Sequence, residues 1–183
     1  MHREPVLKLL RAHALRAVDP HEAAMVAETI RFVEAERDCL LRSCAPGHLT
    51  GSAWVVDRVR ERTLLTHHLK LNKWLQLGGH ADGDGDLASV ARREAEEESG
   101  LTRLRLVTPE IFDLDRHWIP ARKSEPAHWH YDLRFVIEAD PTEPLVRAEN
   151  ESKELAWVEV GRVTMLNPEE SMARMVRKTR KIM

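Results

Sequence analysis

The pattern of hydrophobic and polar residues divides the chain near Pro46–Gly47 into a helical part and a part in which strands and helices alternate. Before this point, apolar residues at helical spacing predict a helical hairpin over residues 5–18 and 20–42. Asp19, with Glu22 three residues later, is typical of a helix start. The apolar stripes must be covered by each other, by the rest of the chain or by a second copy, so the sequence allows a homodimer. The stripes contain Leu7, Leu10, Ala14, Val26, Ile30 and Val33.

After Gly47, short runs of β-branched and other apolar residues predict strands, and further helices are predicted over residues 87–99 and 168–181. This alternation is typical of the α/β class. The predicted strands are 52–56, 62–68, 74–77, 104–107, 111–114, 128–139 and 155–160. We therefore expect an N-terminal helical extension over residues 1–46, followed by one domain over residues 47–183.

The predicted helix over residues 87–99 carries acidic side chains on its apolar face. Asp86 is a favourable N-cap and Gly100 a favourable stop. At 100° per residue, the apolar stripe of this helix is continued by Glu94, by Glu98 and, nearer its edge, by Glu97.

These three carboxylates stand at i, i+3 and i+4 and repel each other unless a cation lies among them. Clustered carboxylate oxygens suit Mg²⁺ or Mn²⁺. The alternative is a solvated acidic face, but Arg92 and Glu96 already occupy the outer face of the helix.

The segment from Gly79 to Leu101 resembles the Nudix box, in which a glycine and a glutamate precede the pattern Arg-Glu-aliphatic-any-Glu-Glu-any-Gly-aliphatic. The matching residues are Gly79, Arg93, Glu94, Ala95, Glu97, Glu98, Gly100 and Leu101. In place of the first glutamate this chain has Gly85, between Asp84 and Asp86, either of which could substitute for it.

The resemblance implies a Nudix fold, that is, a mixed β-sheet sandwiched between helices, with the box helix at the cleft. It also implies a pyrophosphohydrolase whose Mg²⁺ or Mn²⁺ is held by Glu94, Glu97 and Glu98. Arg93 would brace this cluster through Glu97, its i+4 neighbour. Gly79 and His80 would contact the diphosphate of the substrate.

Strict alternation over residues 128–135 predicts a strand with one aromatic and one polar face. The polar face carries His128, His130, Asp132 and Arg134. These side chains could line a phosphate cleft, where imidazole and guanidinium bind oxyanions. Two other interpretations stay open: a solvated sheet face, and a His-x-His-x-Asp site for a transition metal.

A further carboxylate is expected near the metal, as metal ligand or general base. Glu149, Glu151 and Glu154 precede the last predicted strand, where Nudix enzymes often recruit such a group, and Glu151 is preferred among them. Either Glu97 or Glu151 would then act as base. The alternative is that these side chains are simply exposed to solvent.

Composition and charge exclude several classes of partner. A net charge of −2 and a pI near 6.6 give no general attraction to extended nucleic acid or to anionic membranes. The sequence has no apolar run long enough to span a membrane and no export signal at its start, so we expect a cytoplasmic protein. Cys39 and Cys44 are expected to be free thiols.

The sequence therefore predicts a metal-dependent hydrolase that cleaves a phosphoanhydride in a small-molecule substrate, a nucleoside diphosphate linked to another group. One alternative is a non-catalytic nucleotide-binding module, which Gly85 admits. A second is an enzyme similar to isopentenyl-diphosphate isomerase. That chemistry calls for a cysteine beside the cleft, whereas Cys39 and Cys44 lie in the extension. Substrate choice is expected from loops such as residues 116–127.

Overall fold

The computed structural model describes residues 3–17, 19–121 and 126–182. These residues form an eight-stranded mixed sheet with helices on both sides, so the predicted α/β fold is confirmed. The strands are β1 (Gly47–Val56), β2 (Arg62–His68), β3 (Trp74–Leu75), β4 (Leu77–His80), β5 (Arg105–Leu106), β6 (Asp113–Ile119), β7 (His128–Glu138) and β8 (Ser152–Glu159). The helices are α1 (Glu4–Ala14), α2 (Pro20–Ala35), α3 (Leu87–Ser99), α4 (Val163–Leu166) and α5 (Glu170–Thr179), and a 3₁₀ turn covers Val160–Arg162.

The centre of the sheet is the parallel pair of β1 and β7, in register from Gly47 opposite Trp129 to Val56 opposite Glu138. Every other strand pair in the described ranges is antiparallel: β4 and β2 lie on β1, β6 and β5 on β7, and β8 and β3 on β2. Strand β1 is buried along its whole length, because both faces of the sheet are covered there. One face packs on α1, α2 and α3, and the other on α4 and α5.

Helix α3 has the predicted bounds and caps. Asp86 accepts a hydrogen bond from the backbone N–H of Ser89, and Gly100 adopts the left-handed conformation that ends the helix. The signals that define this helix are local in sequence, so they could be read without knowledge of the fold. Among the described helices, none combines the length and the apolar character needed to cross a membrane.

Several boundaries differ from the prediction where tertiary contacts decide them. Strand β1 begins at Gly47 rather than at residue 52, since its first residues pair with the distant strand β7. Helix α2 ends at Ala35 rather than at residue 42. Glu36 is extended there, and the guanidinium of Arg3 donates hydrogen bonds to the free carbonyl oxygens of Val33, Glu34 and Glu36 at this helix end. Helix α1 ends at Ala14, and the predicted end at Val18 lies outside the described residues.

The apolar stripes of α1 and α2 are covered by the chain itself except at Ala14, which is exposed. Leu7, Leu10, Val26 and Val33 belong to the same core cluster as the residues of β1, β7 and α3. In addition, the ring of Phe32 stacks on that of Tyr131 at 4.0 Å between centroids. These stripes therefore give no reason to invoke a second copy, and the homodimer stays a prediction without support from this surface.

Candidate active site

Two of the three predicted carboxylates, those of Glu94 and Glu98, lie where α3 passes the strand β4, and with Glu97 on the same helix we call them the carboxylate cluster. A backbone N–H, that of Gly78, donates to Oε1 of Glu98 at 3.1 Å. Glu94 lies against Gly79, so closely that a Cβ on Gly79 would stand 2.1 Å from Oε2 of Glu94. Glu98 is buried, Glu94 is half-buried and Glu97 is exposed at the rim. This gradation agrees with the helical-wheel prediction, which placed Glu97 nearest the edge of the stripe.

Burial and neighbouring negative charges disfavour the ionised form of two carboxylates in this cluster. Burial raises the pKa of Glu98 to about 8, and the charges of Glu151, Glu94 and Glu97 raise it as well. Burial and then the charge of Glu97 raise the pKa of Glu94, to which Glu151 also contributes. Carboxylates that disfavour each other's charge are stabilised as anions by a divalent ion, which reverses both effects. The donor set therefore fits Mg²⁺ or Mn²⁺, and Glu151 lies within electrostatic range of it.

Arg93 makes different contacts from those predicted. Its guanidinium lies 3.6 Å from Oδ2 of Asp84 and 4.0 Å from Oε1 of Glu94, and these pairs, not a pair with Glu97, connect it to the site. The prediction that Arg93 pairs with Glu97 was based on their i,i+4 spacing. The loop before α3 instead brings Asp84 alongside the helix, within reach of Arg93. Asp84 thus joins the loop to the helix by charge, whereas Asp86 is used as the N-cap. Of the two neighbours of Gly85, Asp84 is the one that pairs with Arg93, a residue that matches the box pattern.

Asp132 and Arg134 are directed into the protein, so the prediction that they face a substrate needs correction. Oδ1 of Asp132 accepts hydrogen bonds from Thr50 at 2.9 Å and Ser52 at 2.7 Å. Its Oδ2 accepts from Gln76 at 3.1 Å and from Arg134 at 2.7 Å.

The Arg134 side chain is only 4% exposed and is also paired with Asp113, at 3.1 Å, and with Asp115, at 3.6 Å. Arg174 from α5 contacts the same two aspartates. The polar face of β7 is here a closed ion-pair network rather than a cleft lining. Alternation predicted which residues share the face but not that α5 would cover it.

His128 and His130 lie at the other end of this face, in a group of five imidazoles that we call the histidine cluster. Its members are His48, His80, His117, His128 and His130. His48 is central, with ring centroids of His80, His128 and His130 at 4.9, 4.8 and 4.6 Å. His80 follows Gly79 directly, so the histidine cluster begins one residue from the carboxylate cluster, on the opposite side of β4.

Burial favours the neutral form of two rings in this cluster, His48 and His130. Burial, followed by the charges of His80 and His128, lowers the pKa of His48 to about 4. Burial and the charges of the surrounding histidines lower the pKa of His130 to about 2. At neutral pH these two imidazoles carry no charge with which to attract a phosphate.

Sequence reasoning did not single out His48 or His117. His48 alternates with Thr50 and Ser52 on β1, which was the available signal. Its pairing with His130, however, depends on the parallel contact between distant strands. His117, which lies opposite His130 on β6, was missed for the same reason. The loop to which we assigned substrate choice, 116–127, lies partly outside the described residues.

Comparisons with known proteins agree with this architecture. A family model for the NUDIX domain matches residues 48–179. Solved structures with a similar fold include an Ap4A hydrolase of C. elegans in a binary complex, with 15% identity over 73% of this chain and 96% of that one, at a TM-score of 0.59. A NUDIX-family hydrolase from Clostridium perfringens is 23% identical over 74% of this chain and 98% of that one, at a TM-score of 0.56.

A third similar structure is the E. coli dihydroneopterin triphosphate pyrophosphohydrolase, with 13% identity over 71% of this chain and 92% of that one, at a TM-score of 0.53. Among curated proteins, no sequence matches this one. The class that the fold and the box define is the Nudix-type hydrolase. This chain belongs to the Nudix family, as the resemblance of residues 79–101 predicted.

Proposed function

We propose that this protein is a Mg²⁺- or Mn²⁺-dependent hydrolase that cleaves a phosphoanhydride bond in a nucleoside diphosphate linked to another group. The observation that carries the proposal is the convergence of Glu94 and Glu98 on the glycine pair Gly78–Gly79, with Glu97 at the rim. These three carboxylates would hold the metal. When bound, a divalent ion would neutralise the diphosphate oxygens and lower the pKa of a coordinated water.

The residues around the cluster have separate roles in this proposal. The N–H of Gly78 holds Oε1 of Glu98 in place, and Gly79 leaves room for the carboxylate of Glu94. Arg93 joins Glu94 to the loop through Asp84 and so keeps α3 and the loop in one arrangement. A carboxylate oxygen of Glu97 or Glu151 would accept the proton of the attacking water, since both side chains are exposed beside the cluster.

The names of two similar structures support the proposed substrate class. Ap4A hydrolase and dihydroneopterin triphosphate pyrophosphohydrolase act, by their names, on compounds with a chain of phosphates. We therefore expect this site to bind a diphosphate or a longer phosphate chain. The group attached to the phosphates would be recognised by the surrounding loops. A small-molecule substrate and a cytoplasmic setting stay part of this proposal.

The isomerase alternative has little support in the structure. Cys39 and Cys44 are both buried in the segment before β1. Burial raises the pKa of Cys39 to about 11, and it also raises the pKa of Cys44. Neither thiol is placed or ionised as a cysteine acting in the cleft would need to be.

A panel assay tests the proposal. The panel comprises nucleotide sugars, dinucleoside polyphosphates, coenzyme A, dinucleotide cofactors and oxidised nucleotides, each with Mg²⁺, with Mn²⁺ and with a chelator, and released phosphate is measured after phosphatase treatment. Metal-dependent turnover that is lost in Glu98→Gln and kept in Glu96→Gln supports the proposal. Calorimetric binding of nucleotides without any turnover would instead identify a non-catalytic module.

A further inference from the structure

We propose that the histidine cluster is a second metal site, in which His48, His128 and His130 bind a divalent transition-metal ion such as Zn²⁺. One ligand nitrogen from each of these three side chains can be chosen so that all lie within 4.8 Å of one another. Two come from β7 and one from the neighbouring strand β1. This site is separate from the carboxylate cluster, and its ligands differ from those of the His-x-His-x-Asp pattern.

The distances suit a tetrahedral ion. Nε2 of His128 lies 3.1 Å from Nε2 of His130, which is hydrogen-bond distance when one of the two nitrogens carries a proton. Two nitrogens at the usual Zn–N distance of about 2.0–2.1 Å are roughly 3.3 Å apart when the coordination is tetrahedral. The two β7 imidazoles therefore already stand close to the separation of ligands that share one ion, and a nitrogen of His48, within 4.8 Å of both, would be the third ligand.

The orientation of His128 is fixed in the manner usual for metal ligands. Its Nδ1 lies 2.8 Å from the carbonyl oxygen of Pro126, which can only accept, so Nδ1 carries the proton. Nε2 is then the unprotonated nitrogen, and it points at His130. A carbonyl bonded to the far nitrogen of an imidazole is a common outer contact of histidine ligands.

His48 supplies an independent observation. This residue is only 3% exposed, yet neither of its ring nitrogens has a hydrogen-bond partner in the described structure. Buried polar atoms are nearly always satisfied, because a buried group without a partner is costly. A metal ion bound between His48 and the β7 histidines would satisfy one of these nitrogens.

The chemistry of the neighbours favours a transition metal over the ions of the carboxylate site. Imidazole nitrogen suits Zn²⁺, whereas Mg²⁺ and Mn²⁺ prefer oxygen. Asp132, the residue that would complete a sequential motif, uses both of its oxygens within the network of Thr50, Ser52, Gln76 and Arg134. His117, with a side chain 42% exposed, brings the edge of the cluster to the protein surface.

The test is a zinc titration of untagged, chelator-treated full-length protein, in competition with a chromogenic chelator and in the presence of saturating Mg²⁺. We expect wild type to bind one equivalent of Zn²⁺, and His48→Ala and the double variant His128→Ala/His130→Ala to lose affinity by at least about 100-fold, because a ligand rather than an outer contact is removed. His21→Ala is the matched control, since His21 is exposed on α2.

Further variants distinguish the proposed ligands from other groups. Cys39→Ser/Cys44→Ser should keep the zinc, which excludes thiolate ligands, and Glu98→Gln should keep it even though phosphohydrolase activity is lost. Co²⁺ bound to wild type should show the visible absorption of a tetrahedral site without a sulfur-to-metal charge-transfer band, and this reading does not depend on whether the His48 variant folds. Equal zinc affinity in wild type and the histidine variants, or a Co²⁺ spectrum of an octahedral ion, would overturn the proposal.

Discussion

The carboxylate of Glu94 lies directly over the Cα of Gly79, and a Cβ on Gly79 would stand 2.1 Å from Oε2 and 2.4 Å from the carboxylate carbon. Nothing but a glycine leaves this space. The atoms in the way belong to the end of a flexible side chain, so the glycine is needed for the position of a carboxylate more than for the backbone.

We expect Gly79→Ala to lower kcat by roughly 10- to 100-fold, because it displaces a proposed metal ligand by about an ångström. The melting temperature should change little, since Glu94 can move aside. The control is Gly161→Ala, where a Cβ would meet nothing within 4 Å. Equal kinetics in the two variants would show that the Gly79–Glu94 contact is irrelevant to catalysis.

Neutralising Glu98 should lower kcat by on the order of 100-fold or more at saturating Mg²⁺, because Glu98→Gln keeps the shape of the side chain and removes its charge. Glu96→Gln is the matched control on the same helix. Glu96 faces outward and pairs with Arg92 at 3.0 Å. The measurement is steady-state kcat of both variants. Near-normal turnover by Glu98→Gln would contradict the proposal that Glu98 is a metal ligand.

The two aspartates beside Gly85 should give different defects. Asp86→Ala removes the N-cap of α3 and should cost about 1 kcal/mol of unfolding free energy with modest kinetic effect. Asp84→Ala should leave stability nearly unchanged, because its pair with Arg93 is exposed. It should lower activity by the same factor as Arg93→Ala, and the double variant should be no worse than either single one. Strict additivity of the two effects in kcat would contradict a role that acts through their pair.

The network around Arg134 should matter for stability. Arg134→Leu leaves the buried Asp132 without its cation and leaves Asp113 and Asp115 to Arg174, and it should cost roughly 3–5 kcal/mol of unfolding free energy. Arg92→Leu removes an exposed i,i+4 pair and should cost no more than about 1 kcal/mol. Urea unfolding measures the change in unfolding free energy of both variants. A similar small cost for the two variants, with a raised KM in Arg134→Leu, would restore the interpretation that Arg134 contacts substrate.

Stability should fall in acid through Glu22, which is fully buried. Burial alone raises the pKa of this carboxyl, but hydrogen bonds from His13 and Lys178 outweigh it and lower the pKa from 4.5 to about 2. Because the folded-state pKa is the lower one, the stabilisation is fully present above pH 4.5 and is lost as the pH falls toward 2. Its size is roughly 2–4 kcal/mol.

Unfolding of Glu22→Gln at several pH values checks this prediction. The difference in unfolding free energy between wild type and the variant should shrink between pH 4.5 and 2. Glu34→Gln, which affects an exposed pair with Arg11, should show no such trend. A constant difference between wild type and Glu22→Gln across this range would contradict the assignment.

Features that depend on residues close together in the sequence could be predicted, and features that depend on distant contacts could not. Helix α3, with its caps and its inward carboxylates, depends on neighbours within four residues, so the metal ligands could be proposed from spacing alone. The contact of Arg93 with Asp84 depends on the path of a loop, and spacing suggested Glu97 instead.

The polar face of β7 shows the same limit more strongly. Alternation identified its members, but the covering helix α5 comes from the far end of the chain and brings Arg174 into contact with Asp113. His48 meets His130 only because β1 and β7 are parallel neighbours. A single sequence holds no local signal for such pairings.

Residues 40–42 lie against the loop that precedes α3. Arg42 makes two hydrogen bonds to Asp82, at 2.7 and 2.8 Å, and the carbonyl oxygen of Leu40 accepts from the N–H of Gly83. Asp82 and Gly83 both have positive φ, a conformation that an isolated aspartate seldom holds. The loop conformation of the box in this protein therefore depends on residues outside the box. If the segment were transferred to another chain without residues 40–42, it would lose the hydrogen bonds that hold Asp82 and Gly83 in place.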